Sequence, residues 1–292
     1  MPTIRTLKPG DEEALETFLV QHASTSMFLR SNSRVVGLQD NGERFQGTYV
    51  AAIDSRQIIA VAAHYWNGMV IPQAPVYLEA VVKAAVAQSG RFISGISGSA
   101  NQVEATRDIL ELKEAQICLA EREILFSLPL SNLNIPGALT NGEVLCRLPE
   151  SSELQLLSEW CAAFCVEALG QIETPKLLSE CQQTVQRRQA DKVHFCLIKE
   201  HKPVSYCTFN AQLPDIVQIG GVWTPPDMRG NGYAKCVVAG ALLHARSTGV
   251  TQAILFTPKN NIAAQSAYEA IGFVPTGEEY GLLLLHDAVA GR

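Results

Sequence analysis

Short apolar runs alternate along the chain with longer segments whose apolar residues recur at helical spacing. Residues 4–7 predict a first strand, and Pro9-Gly10-Asp11 turns it into a helix from Glu12 to about Ala23, with Asp11 as its N-cap. The stretch 30–47 is polar and reads as irregular. Runs at 49–53 and 58–65 flank Asp54-Ser55-Arg56 and predict a hairpin. A strand over 66–71, a helix over 76–88 ending near Gly90, a strand over 92–96, a helix over 102–112 and strands within 119–128 follow. Pro129, Pro136, Gly137, Asn141 and Gly142 then mark 129–142 as a linker. Beyond it come a strand at 144–148, helices over 153–168 and 174–190, and a hairpin of 194–198 with 204–209. A strand at 218–224, a helix over 233–247, a strand at 252–257 and a closing strand at 280–285 complete the pattern. Pro175 suits the first turn of its helix, and Gly249 stands where a C-terminal glycine belongs. The alternation of strands and helices defines an α/β (α+β) chain.

The pattern runs twice. The hairpin at 49–64 has the layout of that at 194–209, shifted by 145 positions. Gly90 pairs with Gly249 at a shift of 159, and Asn101 with Asn261 at 160. The first half is therefore about 14 residues shorter between hairpin and helix-ending glycine, where the second half holds Arg229-Gly230-Asn231-Gly232. The expected division is a first domain at 1–128, the linker at 129–142 and a second domain at 143–292.

Length agrees with two domains, since 292 residues exceed an ordinary single core. The net charge of −6 argues against a general nucleic-acid or membrane-surface partner. No apolar run reaches 18 residues and the first residues lack a secretory core, so a cytoplasmic protein is expected. The eight cysteines form no C-x-x-C pair. Cys161 and Cys165 share a helix face, but two thiols without a His partner do not make a zinc site, and no metal is expected. Buried free thiols in a reducing compartment are the reading.

Chemistry concentrates between Gln218 and Phe273. Gln218-Ile219-Gly220-Gly221-Val222-Trp223-Thr224 is a strand stopped by Pro225-Pro226, and Arg229-Gly230-Asn231-Gly232-Tyr233-Ala234 leads into a helix. The first N–H groups of a helix lack partners and, with its dipole, attract an anion; glycines let that anion approach the backbone. No G-x-x-x-x-G-K-[ST] occurs, and G-x-G-x-x-G fails at Lys235. The pattern that fits is R-x-x-G-x-A, at Arg229, Gly232 and Ala234. It is followed by N-x-x-A-x-x-x-Y-x-x-x-G-F at Asn261, Ala264, Tyr268, Gly272 and Phe273. The two motifs, in this order, resemble the pyrophosphate loop and the second acyl-CoA-binding motif of the GNAT superfamily of N-acetyltransferases.

The resemblance implies two tandem GNAT folds, each a mixed, mostly antiparallel twisted sheet flanked by helices. The first half is then a degenerate, structural domain and the second binds acetyl-CoA as co-substrate, with no metal. Backbone N–H groups of Arg229, Gly230, Asn231, Gly232, Tyr233 and Ala234 would cradle the pyrophosphate. Val222, Trp223 and Thr224 would line the pantetheine and acyl group, with a backbone N–H near Val222 polarising the carbonyl, and Asn261 would contact the arm. Tyr268 would protonate the departing sulfur, and its spacing of seven from Asn261 puts both on one side of a helix. Gly220-Gly221 is read as a bulge that parts two strands, or equally as a simple bend. No general base is assigned: Asp215 precedes the central strand and is a candidate, Glu167, Glu173 and Glu180 lie on the helices that in the family shape the acceptor pocket or are solvated helix positions, and His194 is a proton relay or an ordinary edge histidine. The implied activity is acetyl transfer to the amine of a small molecule or peptide by direct attack, in a monomer or homodimer. The alternatives are an acyl-CoA sensor without turnover, or transfer of a different acyl group.

Overall fold

The computed structural model describes residues 1–291 and divides into two compact units. The first comprises Met1–Leu125 with Gly277–Arg292, and the second Phe126–Thr276. In chain order the first half contains β1 (Thr3–Thr6), α1 (Glu12–Leu19), α2 (Met27–Val36), β2 (Gly47–Asp54), β3 (Gln57–Tyr65), β4 (Met69–Gln73), α3 (Leu78–Ser89), β5 (Phe92–Ser99), α4 (Ala100–Ile109) and β6 (Ile117–Pro129). After the short α5 (Gly137–Thr140), the same order returns. It runs β7 (Leu145–Arg147), α6 (Leu154–Leu169), α7 (Pro175–Asp191), β8 (His194–Lys199), β9 (Lys202–Gln212), β10 (Ile216–Trp223), α8 (Tyr233–Ser247), β11 (Gln252–Pro258), α9 (Ile262–Ala270) and β12 (Val274–Ala290).

In the first unit the strands lie in the order β1-β2-β3-β4-β5-β12. All neighbours are antiparallel except β4 and β5, which run parallel and pair only at Met69↔Gly95 and Val70↔Ile96. Strand alternation sends Val50, Ala52, Ala60 and Ala62 towards α3, while Tyr49, Ala51, Val61 and Ala63 face α1 and α2. The alanines let helices approach closely from both sides. In the second unit the order is β7-β8-β9-β10-β11, antiparallel except for parallel β10 and β11. Leu157, Trp160, Leu177 and Val185 of α6 and α7 bury against Tyr206 and Trp223, and α8 packs on β7, β8 and β9. Thr174 caps α7, its hydroxyl accepting from Leu177 N at 3.1 Å, with Pro175 in the first turn as expected.

The two hairpins turn alike. Ser55 and Arg56 both have positive φ, 49° and 69°, and so do Glu200 and His201, 48° and 64°. These are the two-residue turns whose twist suits a hairpin, made here without glycine.

Four expectations are corrected. The stretch 30–47 is not irregular throughout, because α2 occupies Met27–Val36. Its inward face carries Arg30, only 3% exposed and paired at 2.7 Å to the partly exposed Glu16, so a buried charged residue disguised the periodicity. The first helix ends at Leu19 and tightens into a 3₁₀ turn over Val20–His22. The segment 129–142 is not a free linker: Leu130 and Leu133 are buried, Leu130 N donates to Thr251 O and Asn134 N to Ile271 O. Finally, 143–292 is not one compact unit. β12 pairs antiparallel with β5 from Tyr280↔Ser99 onward, so residues from Gly277 belong to the first unit. Tyr280 and Leu283 are buried there, and Tyr280 Oη accepts from Ser97 Oγ at 2.9 Å.

Candidate functional site

The second unit's β10 and β11 pair at Ile216↔Gln252, Val217↔Ala253 and Gln218↔Ile254, and the pairing goes no further. From Ile219 onward β10 stays with β9 alone, and its register slips between Gly220 and Trp223. Gly221 has a φ of +55°, so Gly220-Gly221 forms a bulge rather than a simple bend. A side chain at Gly220 would collide with that of Asn210 on β9. Val222 lies just after the bulge. Trp223 ends the strand with its ring buried against α6 and α7. Ser205 Oγ holds that end in place: it lies 3.0 Å from Trp223 O and 2.9 Å from Thr224 Oγ1. Ser205 was not foreseen; a serine inside a hairpin carries no signal of this duty.

Residues 224–232 then form the turn into α8. Gly230 and Gly232 have φ of +80° and +74°, the left-handed region that favours glycine. Gly232 is the N-cap residue of α8, and no side chain caps the helix. Its first N–H groups therefore remain available to an anion. Asn231 closes the turn on itself, its Nδ2 donating to Met228 O at 3.0 Å and Arg229 O at 3.3 Å. Arg229 is anchored sideways: Nε donates to Thr224 O at 3.0 Å, Nη2 meets Glu167 Oε2 at 2.9 Å, and the guanidinium lies 5.0 Å from the Trp223 ring centre. Tyr233 Oη accepts from Lys199 Nζ at 3.1 Å, which brings a cation beside the helix start. Ala234 follows within the first turn.

The second motif sits on α9. Asn261 is its N-cap, with Oδ1 accepting from Ala264 N at 3.1 Å. As a cap residue it has non-helical backbone angles, here φ −85° and ψ 67°. Asn261 is exposed, whereas Tyr268 is buried, its ring edge-on to Phe273 at 6.2 Å.

His194, weighed as a relay, is fully buried. Its Nε2 lies 2.8 Å from Gln189 Oε1 and Nδ1 3.2 Å from Tyr206 Oη. Burial and the nearby Arg188 charge push its pKa down to about 4, so it is a neutral packing residue at pH 7. The first half has no counterpart of the glycine turn. Only 74–77 connect β4 to α3, Ala74 N donates to Gln102 Oε1 at 2.7 Å, and Tyr77 holds the left-handed cap position with φ 54°.

The family model described as "Acetyltransferase (GNAT) family" matches residues 157–273. Residues 157–273 are a GNAT-family domain. That span contains the bulged strand, the glycine turn and both motifs. Solved structures extend the likeness in fold to nearly the whole chain. A tandem GNAT protein from the clavulanic acid biosynthesis pathway is 8% identical with a TM-score of 0.60, covering 98% of each chain. A GCN5-related N-acetyltransferase from Sphaerobacter thermophilus is 12% identical with a TM-score of 0.58, covering 99% of this chain and 96% of its own. An acetyltransferase of the GNAT family from Colwellia psychrerythraea is 15% identical with a TM-score of 0.51, covering 97% and 99%. No curated protein matches the sequence. Among the described residues no helix is long and apolar enough to cross a membrane.

Proposed function

We propose that this GNAT-family chain transfers an acetyl group from acetyl-CoA to the amine of a small molecule or peptide, using the second unit. The observation that carries the reading is the conjunction at β10. Its pairing with β11 stops at Gln218, the Gly220-Gly221 bulge follows, and the uncapped α8 start lies a turn beyond. A peptide-like arm can add to a parted strand edge as an extra strand does, and a pyrophosphate suits bare helix N–H groups approached through glycines. The donor set therefore fits acyl-CoA, with Arg229, Gly230, Asn231, Gly232, Tyr233 and Ala234 at the pyrophosphate and Val222, Trp223 and Thr224 along the arm. Asn261 keeps its carboxamide N–H₂ for the same arm, since its capping bond uses only the oxygen.

Acetyl-CoA supplies an activated acyl carbon and a thiolate leaving group. The chain's own part is to hold the carbonyl against backbone N–H near Val222 and to keep a proton at Tyr268 Oη for the leaving sulfur. The amine attacks directly. Burial raises the thiols Cys146, Cys196 and Cys207, which leaves them as thiols at neutral pH and unsuited to a covalent route. In the first unit, the shortened connection with Gln102 on its first N–H supports a structural role for that half.

The test is calorimetric titration of acetyl-CoA into the full chain and into a Gly232→Trp variant, followed by an amine-library assay for released CoA thiol. One equivalent bound by the parent and none by the variant, with thiol release for some amine, is expected. Absence of binding by the parent would remove the proposal; binding with no release for any amine would leave an acyl-CoA sensor instead.

A further inference from the structure

Helices α6 and α7 bring three cysteines together, two from one helix and one from the next. Cys161 and Cys165 stand one turn apart on α6, and Cys181 comes from α7. Their three sulfur atoms all lie within 4.8 Å of one another. Cys161 and Cys181 are buried and Cys165 is half-buried, so the group sits under the surface with one edge open. None is in a disulfide.

Beside them stands Arg188, also on α7. Its Nη1 lies 4.0 Å from Cys161 Sγ and 3.4 Å from Tyr206 Oη. Among the described residues no carboxylate comes within ion-pair range of this guanidinium, whereas Arg147 and Arg229 of the same unit each pair with one. A half-buried cation without a carboxylate needs an anion from another source. The Cys161 sulfur is the group that faces it.

The spacing suits one metal ion. A zinc–sulfur bond of about 2.3 Å implies sulfur–sulfur separations of roughly 3.8 Å in a tetrahedral site and roughly 4.0 Å in a trigonal one. The observed separations need to contract by less than about 1 Å, which side-chain rotation on two packed helices provides. Charge agrees as well. Three thiolates around a divalent cation carry a net charge of −1, and Arg188 offsets it. A monovalent ion would leave −1 uncompensated.

We propose that Cys161, Cys165 and Cys181 form a binding site for one thiophilic divalent cation of the zinc class, with Arg188 completing its charge balance. Sequence spacing hid the site, because only Cys161 and Cys165 show helical spacing and the third ligand depends on how α7 packs. On binding, the three thiols release their protons to solvent and three metal–sulfur bonds form; nothing is oxidised. The fourth position faces the open edge at Cys165, where water completes the coordination. The ligands share one apolar cluster with Trp160, Tyr206 and Trp223, so an ion there would tie α6 to α7.

The test uses the full chain, reduced and stripped of metal with a chelator, titrated with Co²⁺ at pH 8 and then with Zn²⁺. The expected result is a sulfur-to-cobalt charge-transfer band in the near ultraviolet that saturates at one equivalent and is lost on adding Zn²⁺. Cys165→Ser and Cys181→Ser, checked for fold by circular dichroism, should each weaken binding on the order of a hundredfold, while Cys118→Ser binds as the parent does. No charge-transfer band in the parent overturns the proposal without reference to any variant. So does a band that survives both serine substitutions. Formation of a Cys161–Cys181 disulfide under mild oxidation, unaffected by saturating Zn²⁺, also overturns it and makes the cluster a redox pair.

Discussion

Arg229 Nη2 and Glu167 Oε2 are 2.9 Å apart, so the arginine of the glycine turn points at helix α6 rather than along the axis of α8. Both side chains are about half exposed, 44% and 53%, which limits the pair to about 1 kcal/mol or less. The anion is then held mainly by backbone N–H groups. Glu167→Gln should change acetyl-CoA affinity by less than about fivefold, the equivalent of that energy. Isothermal titration checks it, and a loss above a hundredfold would show that the ion pair, not the backbone, governs the site.

Gly232→Ala should be far more damaging than its size suggests. Its φ of +74° costs an L-residue about 1–2 kcal/mol, and the new Cβ would sit 3.0 Å from Lys235 Cε. Acetyl-CoA affinity should fall at least tenfold, with the melting temperature lowered by a few degrees. Comparable affinity for the two proteins would show that the helix start is not the anion site.

Tyr268→Phe keeps the buried ring and its edge contact with Phe273 while removing the hydroxyl. Turnover should fall about 10²–10⁴-fold, the range of a lost general acid, with acetyl-CoA affinity nearly unchanged. A parallel measurement of Kd and kcat separates this from a packing role, in which both would stay near the parent values.

His194 sets part of the acid limb of stability. Its folded pKa of about 4 lies below the ordinary value of 6.5, so the unfolded chain binds more protons across that interval. Stability is therefore complete above pH 6.5 and is lost as pH falls towards 4, by up to about 2 kcal/mol at pH 5. His64, also lowered by burial, adds in the same direction. His194→Gln should flatten the change in denaturation midpoint between pH 6.5 and 5. An unchanged slope would mean that His194 already titrates normally in the folded chain.

Glu123 acts with the opposite sign. Burial and the neighbouring Glu121 push its pKa up to about 7, so the folded chain keeps a proton that the unfolded chain releases above about 4.5. Stability falls as pH rises through this window. Glu123→Gln should gain up to about 3 kcal/mol over the parent at pH 8 and nothing at pH 4. Equal gains at both values would point to packing instead of ionisation.

Most elements were legible because their apolar spacing matches their geometry. Helices α3, α6, α7 and α8, both hairpins and the glycine turn follow directly from it. Helix α2 was not legible, because its buried Arg30 is satisfied by Glu16, a partner on another helix. The motif residues Arg229, Gly232, Ala234, Asn261 and Tyr268 could be picked out by type and order. Their neighbours could not: Ser205 behind Trp223, Asn210 beneath Gly220 and Lys199 beside Tyr233 owe their positions to strand register. Register also decides where β12 goes. The sequence announces an apolar strand at 280–285, and nothing local says that its partner is β5.

That partnership governs the order of events during synthesis. Ser99 must wait for Tyr280, which leaves the ribosome 181 residues later. At about 5–20 residues per second the delay is roughly 9–36 s. Throughout it, β5 keeps an open flank, a template on which the wrong strand can settle. Truncating the chain between β6 and β12 would make the wait permanent, so the first unit depends for its completion on a strand made long after the rest of it.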